Sequence, residues 1–438
     1  YERPDVKTSG IVRDVASDTD TLAVKDTTTF ANIPWRSVFT DPQLQSIIEK
    51  GLNNNVNLLN AALNVKMAEE QLKCAKLAFV PSLSFTPQGT IASWDGNAAT
   101  KTYSLPVTAS WTVDLFGNLL SQKRSAQMAL LQLKDYQVSV QTNLIANIAN
   151  MYYTLLMLDK QVELVNNMEG LTKDTWETMK VLKDTKIGYR GTSVQAAESN
   201  YYAVLTQKTD LMRQIRETEN SLSLLIGDQA HSIARGKLEN QSLPATFSTG
   251  VGIQLLNNRA DVHAAEMNLA QCFYGIETAR SKFYPSITIS GTGAFTNSAG
   301  AGIVNPGKWL LSAVGSLVQP IFQNGRIIAG LKVAKMQYEQ AYNTWQNTVL
   351  KAGSEVSNAL VLYNYSDEKG KVEAKRIAVL EKNVEDTRKL MSEAGGSYLE
   401  VIQAQSSLLN VQLSKVADDF YKMQAVVNLY YALGGGAK

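Results

Sequence analysis

The sequence predicts a mainly α-helical chain that carries a few membrane β-strands, with long antiparallel coiled-coil helices around them. Three observations predict this. The 438 residues hold two copies of one pattern, each copy has helical periodicity too long for a globular domain, and each interrupts its helices with strands that alternate apolar and small polar residues.

The duplication is read directly from the residues. Ala75-Lys76-Leu77-Ala78-Phe79-Val80-Pro81-Ser82-Leu83-Ser84 returns 204 positions later as Ala279-Arg280-Ser281-Lys282-Phe283-Tyr284-Pro285-Ser286-Ile287-Thr288. Leu52-Asn53-Asn54 faces Leu256-Asn257-Asn258 at the same offset. At an offset of 207, Gly188, Ala197 and Leu225-Ile226-Gly227 match Gly395, Ala404 and Ala432-Leu433-Gly434. A period this long marks two domain-sized units and excludes a short solenoid repeat. The chain thus divides into an extended arm over 1–41, a first repeat over 42–227, a linker over 228–250, a second repeat over 251–434 and a tail over 435–438.

Composition narrows the class. Lysine plus arginine (42) nearly balance aspartate plus glutamate (40), so no basic face calls for nucleic acid. Cys74 and Cys272 occupy non-equivalent places in the two copies and suggest no disulfide framework; both read as small packed helix residues. No run of 18 apolar residues exists, which excludes a transmembrane helix. The chain has neither an initiator methionine nor a signal peptide and reads as a processed or trimmed form.

The helices follow from spacing. From Ala126, apolar or small residues recur at Leu130, Leu133, Val140, Leu144, Ile148, Met151, Leu155, Leu158, Val162 and Val165, in steps that match a coiled-coil seam with one stutter near Asn147. Val349, Ala352, Val356, Ala359 and Tyr363 repeat the spacing, continued by Ile377, Leu380, Val384, Thr387 and Met391. Proline is absent from Asn118 to about Lys186 and from Arg326 to about Met391, so each segment is expected to form one helix about 100 Å long. Asn, Gln, Ser and Thr are frequent on the other faces. Periodicity alone fits either a solvated coiled-coil exterior or a cylinder whose inner face is also wet.

The strands separate those readings. Tyr103, Leu105, Val107, Ala109, Trp111 and Val113 alternate with Ser104, Pro106, Thr108, Ser110 and Thr112, close to the length a tilted strand needs to cross a bilayer. Membrane strands are expected near 82–92, 103–113, 286–297 and 308–318. Trp94, Tyr103, Trp111 and Trp309 lie at or near strand ends, where lipid-facing and interfacial aromatic residues form belts. Pro106 sits uneasily in mid-strand because it removes a ladder donor. Four strands cannot close a barrel, since open edges in lipid leave backbone groups unpaired. The membrane reading therefore demands a homo-oligomer with eight strands from a dimer or twelve from a trimer.

At this point the residues carry a resemblance. Trp35-Arg36-Ser37-Val38-Phe39-Thr40-Asp41-Pro42-Gln43-Leu44 resembles the W-x-x-F-x-D-P-x-L opening of the outer-membrane factor family, the TolC-like efflux ducts, in its OprM-type lipoprotein branch. Asp114-Leu115-Phe116-Gly117, Phe283-Tyr284-Pro285-Ser286-Ile287 and Ala432-Leu433-Gly434-Gly435-Gly436 resemble further motifs of that branch. Asn258-Arg259-Ala260-Asp261-Val262 resembles its R-R-P-D-V/I segment, with Ala260 in place of the usual proline. The likeness runs from about residue 30 to 436. It implies a homotrimer with a 12-stranded outer-membrane β-barrel, continued by a trimeric α-barrel tunnel that reaches into the periplasm. It also implies a periplasmic adaptor, an inner-membrane pump of RND type, contact with outer-membrane lipids, export of small toxic compounds and an N-terminal lipid anchor on the precursor.

The resemblance places the periplasmic aperture where each long helix turns back, near 186–194 and 392–403. Relatives narrow it with a Y-L-x-x-L-D-A-like run, which here reads Tyr398-Leu399-Glu400-Val401-Ile402-Gln403-Ala404. The family's acidic position falls on neutral Gln403, and a carboxylate stands instead at Glu400. Leu399, Gln403, Glu400 and Ser193 are the aperture candidates. Ser397 with Glu400, like Thr192 with Gln195, has capping-box spacing, a second account of Glu400. Gly188, Tyr189, Arg190, Gly395 and Gly396 are the candidate adaptor-contact tips, and the linker is expected to form an equatorial collar.

Nothing in the sequence points to an enzyme or a cofactor. There is no P-loop, and His231 and His263 have no neighbours at metal or nucleophile spacing. Asp114 reads as a turn or helix-cap residue, and Tyr201-Tyr202 and Tyr430-Tyr431 as interhelical packing. An exit duct leaves open a drug exporter, a metal exporter or a protein-secretion pump as its partner. A soluble coiled-coil scaffold would make the strand alternation a coincidence.

Overall fold

The computed structural model describes residues 1–5, 33–93, 95–185, 191–241, 259–296, 308–393 and 397–436. Helices α1 (Trp35–Val38), α2 (Pro42–Asn54) and α3 (Val56–Leu77) lead into strands β1 (Ser82–Phe85), β2 (Gln88–Ala92) and β3 (Thr100–Val113). Helices α4 (Asn118–Thr185), α5 (Gly191–Leu225) and α6 (Ala260–Ser281) follow. Strands β4 (Ser286–Thr296) and β5 (Lys308–Val318) then precede α7 (Arg326–Glu393) and α8 (Tyr398–Ala432). The helices come in equal lengths: 22 residues for α3 and α6, 68 for α4 and α7, and 35 for α5 and α8. The chain is mainly helical with a few strands, as the periodicities require.

Two compact units result, the first comprising Tyr1–Val6, Ala62–Tyr136 and Asp261–Thr348, the second the remainder. The first unit contains the sheet, whose order is β1-β3-β4-β5, with β2 also paired to β3. All pairings are antiparallel. The single strand expected near 82–92 is two. β1 ends at Phe85, opposite Val107, and β2 begins at Gln88, opposite Ser104. Thr86 and Pro87 break the edge at Pro106, and the Thr86 amide donates to the Pro106 carbonyl at 3.4 Å. A proline has no amide to give to a neighbouring strand, so the edge interruption falls where a donor is missing anyway.

The second unit is built on the helical seam. Spacing near 3.6 residues brings Leu144, Ile148, Leu155 and Leu158 of α4 to one buried face. Trp35, Phe39, Leu44 and Ile48 from the start of the chain join the core of Leu144, Ile148 and Leu155, together with Val426, Val427 and Tyr430 of α8. Helix α1 therefore lies within the segment read as an extended arm, and Trp35, Val38 and Phe39 are buried. Asp41 explains why this segment folds. Its carboxylate accepts the Gln43 amide at 2.9 Å as the cap of α2, with Pro42 at the first helical position. It also accepts hydrogen bonds from the Tyr152 hydroxyl at 2.6 Å and the Gln241 amide at 2.8 Å. One side chain thus ties the arm to α4 and to the linker.

The described part of the linker, 228–241, is held by charge. Arg235 donates to both carboxylate oxygens of Asp159 (2.5 and 2.9 Å) and to Glu219 (2.6 Å). Lys160 pairs with Glu239, and Lys50 with Asp228. Helix α5 ends in a Schellman-type turn: the Asp228 amide donates to the Ser223 carbonyl and that of Gly227 to Leu224. Gly227 has φ +72°, and a Cβ there would stand 2.7 Å from the Asn54 carbonyl oxygen, so the position admits only glycine.

Candidate functional site

The sheet has two chemically distinct faces, set by the antiparallel register. Leu105, Val107, Ala109, Trp111 and Val113 of β3 lie beside Phe295, Gly293, Gly291, Ile289 and Ile287 of β4, and those beside Trp309, Leu311, Ala313, Gly315 and Leu317 of β5. Leu83 and Phe85 extend the same face through β1. The opposite face carries Ser110, Ser290, Thr108, Thr292, Ser312, Thr112, Thr288 and Ser316, with Leu310, Val314 and Val318 of β5 on the same side. There the Thr108 and Thr292 hydroxyls hydrogen-bond at 3.0 Å. Among the described residues nothing covers the apolar face: Leu311 is 81 % exposed and Val107 49 %. An apolar patch this continuous in one sheet marks contact with another protein or with lipid.

The aromatic candidates divide. Trp111 lies on the apolar face and its indole N–H donates to the Phe79 carbonyl at 3.0 Å, the arrangement of an amphipathic ring with one satisfied polar end. Tyr103 lies on the same face of β3, beside Gly89 of β2. Trp309 pairs with Phe295 in the register, and Trp94 lies outside the described residues.

Each sheet exit is a built turn. After β3, the Asp114 carboxylate accepts the Leu120 amide at 2.8 Å and so caps α4, while Gly117 supplies the positive φ of +71°. Phe116 stacks on Tyr284 with ring centroids 4.9 Å apart and planes 10° from parallel. The Gln319 amide donates to the Phe283 carbonyl at 3.0 Å.

The other candidate region is where α4 gives way to α5 and α7 to α8. Met179, Leu182, Ala197, Met391 and Val401 form a small buried cluster there, flanked by Trp176, Val194 and Tyr398. Leu399 is 58 % exposed, and Glu400 is exposed as well. Gln403 is exposed and its amide reaches the Ser407 hydroxyl at 3.4 Å, whereas Ser193 is buried. The capping-box account of Glu400 fails: Ser397 makes no side-chain cap bond, and the Glu400 amide donates instead to the Ser397 carbonyl at 3.1 Å. Gly188, Tyr189, Arg190, Gly395 and Gly396 lie outside the described residues. Tyr201 stacks on Trp176 at 5.5 Å, with Lys180 over the same indole at 3.5 Å, so the tyrosine pair is packing.

Several polar contacts have no sequence signature. His263 lies 2.6 Å from the Asp135 carboxylate, and this hydrogen bond pushes the imidazole above its ordinary range. Arg3 grips buried Glu266 through two hydrogen bonds, 2.8 and 2.6 Å. Cys74 is exposed on α3 rather than packed, and Cys272 is half-buried. Among the described residues, no three His, Cys, Asp or Glu side chains come together as a metal site.

Comparison with known proteins agrees with this geometry. The family model described as outer membrane efflux protein matches residues 47–228 and again 252–435. The chain is similar to the cation efflux system protein CusC of Escherichia coli strain K12, 26% identical over 420 residues that cover 93% of this chain and 90% of the relative. It is also similar to the toluene efflux pump outer membrane protein TtgF of Pseudomonas putida, 26% identical over 414 residues, covering 93% and 86%. Among solved structures, the open state of the Neisseria gonorrhoeae MtrE outer membrane channel superposes with a TM-score of 0.87 at 22% identity, covering 100% of this chain and 98% of that one. A sheet with one apolar and one hydroxyl-bearing face, followed by helices of 68 residues, is the fold of an outer membrane channel; the chain belongs to the outer membrane efflux protein family and serves as an outer-membrane exit duct of an efflux system.

Proposed function

We propose that the duct is a homotrimer in which three copies of this sheet close a 12-stranded barrel, continued by an α-barrel tunnel of long helices. The carrying observation is the sheet itself: β1 with β2 stands at one edge and β5 at the other, and the apolar face is exposed. In lipid both edges need partners, and a second copy of this chain offers the complementary edge. The hydroxyl-rich face then lines a wet lumen, and the helices carry that lumen into the periplasm. Substrates pass passively; energy comes from an inner-membrane pump of RND type through a periplasmic adaptor that contacts the tips near 188–190 and 395–396. The cargo is a class of small toxic compounds, in line with relatives named for cation efflux and toluene efflux. The described part of the linker, 228–241, is read as part of an equatorial collar, and residues 242–250 lie outside the described residues.

The aperture at the tips is read from Leu399 and Gln403, with Glu400 beside them. Exposure of Leu399, Glu400 and Gln403 on the protomer supports that reading, and Ser193 is buried there. Leu399→Ala is expected to raise single-channel conductance in a planar bilayer, and Glu400→Gln to change cation preference. Mass measurement in detergent tests the assembly: three chains are expected, and a monomer that stays soluble without detergent overturns the duct. Unchanged conductance in a folded Leu399→Ala trimer removes the aperture from this stretch.

A further inference from the structure

Helices α7 and α8 are joined by charged pairs. Asp367 of α7 pairs across the interface with Lys422 of α8, while Lys371 with Asp367 and Lys415 with Asp419 pair within α7 and within α8. One contact departs from this alternation of charge. Glu373 of α7 and Asp418 of α8 face the same ammonium group of Lys369 as two neighbouring acids, and both are buried, at 8 % and 4 % exposure. The Ser414 hydroxyl donates to Glu373 Oε1 at 2.7 Å, and Lys369 donates to Asp418 Oδ1 at 2.9 Å while lying 3.7 Å from Glu373 Oε1. Glu373 Oε2 and Asp418 Oδ2 are then left buried with no donor.

Two ionised carboxylates have no hydrogen to offer each other, and a buried acceptor without a donor is costly. Lys369 is one charge, and its side chain is more than half exposed. It cannot neutralise both acids. A single proton supplies the missing donor and removes one of the two negative charges. We propose that Glu373 and Asp418 bind one proton between them, and that this shared proton clasps α7 to α8 and is released to water as the surrounding pH rises.

The surroundings support the assignment. Burial pushes the Glu373 carboxyl up, Asp418 adds to the rise, and Ser414 and Lys369 oppose it without cancelling it. The other charges on this interface, Asp367, Lys371, Lys415, Asp419 and Lys422, are paired among themselves. Helices α4 and α5 pack on α8 through Leu158, Val165, Val204 and Leu211. Of their charged groups, Asp159 and Glu219 pair with Arg235, Lys160 with Glu163 and Glu239, Lys208 with Glu169, and Arg213 with Glu217. An acid whose folded pKa lies above its unfolded value stabilises fully below the unfolded value and loses that contribution as pH rises through the folded one. The clasp is therefore closed in acid and opens towards alkaline pH. It goes beyond the duct reading and does not require it.

The full-length protein in detergent carries the test. Difference infrared spectroscopy is expected to show a protonated-carboxyl band at pH 6 that Glu373→Gln or Asp418→Asn removes, and that titrates above the ordinary glutamate range. Hydrogen exchange over 366–376 and 411–421, corrected for intrinsic base catalysis, is expected to quicken about tenfold per pH unit once the proton leaves. Glu373→Gln keeps a donor to Asp418 at every pH and should remove that dependence. A folded variant of either residue that leaves the carboxyl band unchanged overturns the shared proton. A wild-type exchange profile flat from pH 6 to 8.5 overturns the clasp, whatever the variants do.

Discussion

Val107 in β3 is half exposed, whereas Val349 in α7 is 2 % exposed, though both occupy the apolar positions of a regular period. The helical unit hides its seam inside itself, and the sheet turns its apolar rows outward. The difference is one of solvent. An apolar face that water would penalise by about 25 cal/mol per Å² carries no such penalty in hydrocarbon, so one chain follows two opposite rules of burial. Variants that harm one region and spare the other are the way to break this contrast.

The largest effect is expected in the helical unit. Arg235→Ala leaves Glu219, a buried carboxylate, without its cation and should cost about 3–5 kcal/mol in denaturant unfolding, while the sheet still inserts. Val107→Arg is the converse: roughly 2–4 kcal/mol per protomer at mid-bilayer, seen as loss of membrane insertion and trimer with helical circular dichroism retained. Intact insertion of that variant would show that β3 does not face lipid. Tyr152→Phe removes a hydrogen bond to the ionised Asp41 and should cost about 1.5–3 kcal/mol. Burial pushes the Asp41 carboxyl up, but hydrogen bonds from Tyr152, Gln241 and the backbone of Gln43 and Leu44 outweigh it and hold the carboxyl below its usual range. Its stabilisation is present above the unfolded value and lost as pH falls through the folded one, so Tyr152→Phe should also flatten acid unfolding measured by fluorescence. The smallest effect is at the boundary between sheet and helix. Asp114→Ala removes the cap of α4 and should cost about 0.5–2 kcal/mol, read as faster amide exchange over 118–121.

Legibility followed how local each signal is. Strand β3 is readable because eleven residues alternate without a gap, and α4 and α7 because proline is absent for their whole length. Asp114 is readable as a cap because its partner is only six residues away. The break between β1 and β2 has a signal in Pro87, yet its meaning depends on Pro106 standing opposite, a fact of register. Contacts between distant elements escape entirely: Asp135 meets His263 across 128 residues, and Glu373 meets Asp418 across a helix turn-back, with no spacing to announce either. At the helix ends, the capping-box spacing of Ser397 and Glu400 is present but unused, because the backbone carbonyl of Ser397 takes the amide first.

The length of α4 and α7 has a mechanical consequence. The part of α4 in the second unit, from Gln137 to Thr185, is a rod about 70 Å long, so tilting it by one degree about one end sweeps the other through roughly 1 Å. That sweep is comparable to the radius of a water molecule. A tilt imposed near Gln137 is thus delivered, magnified, to residues near 185, and the stiffness of the intervening seam sets how much of it arrives.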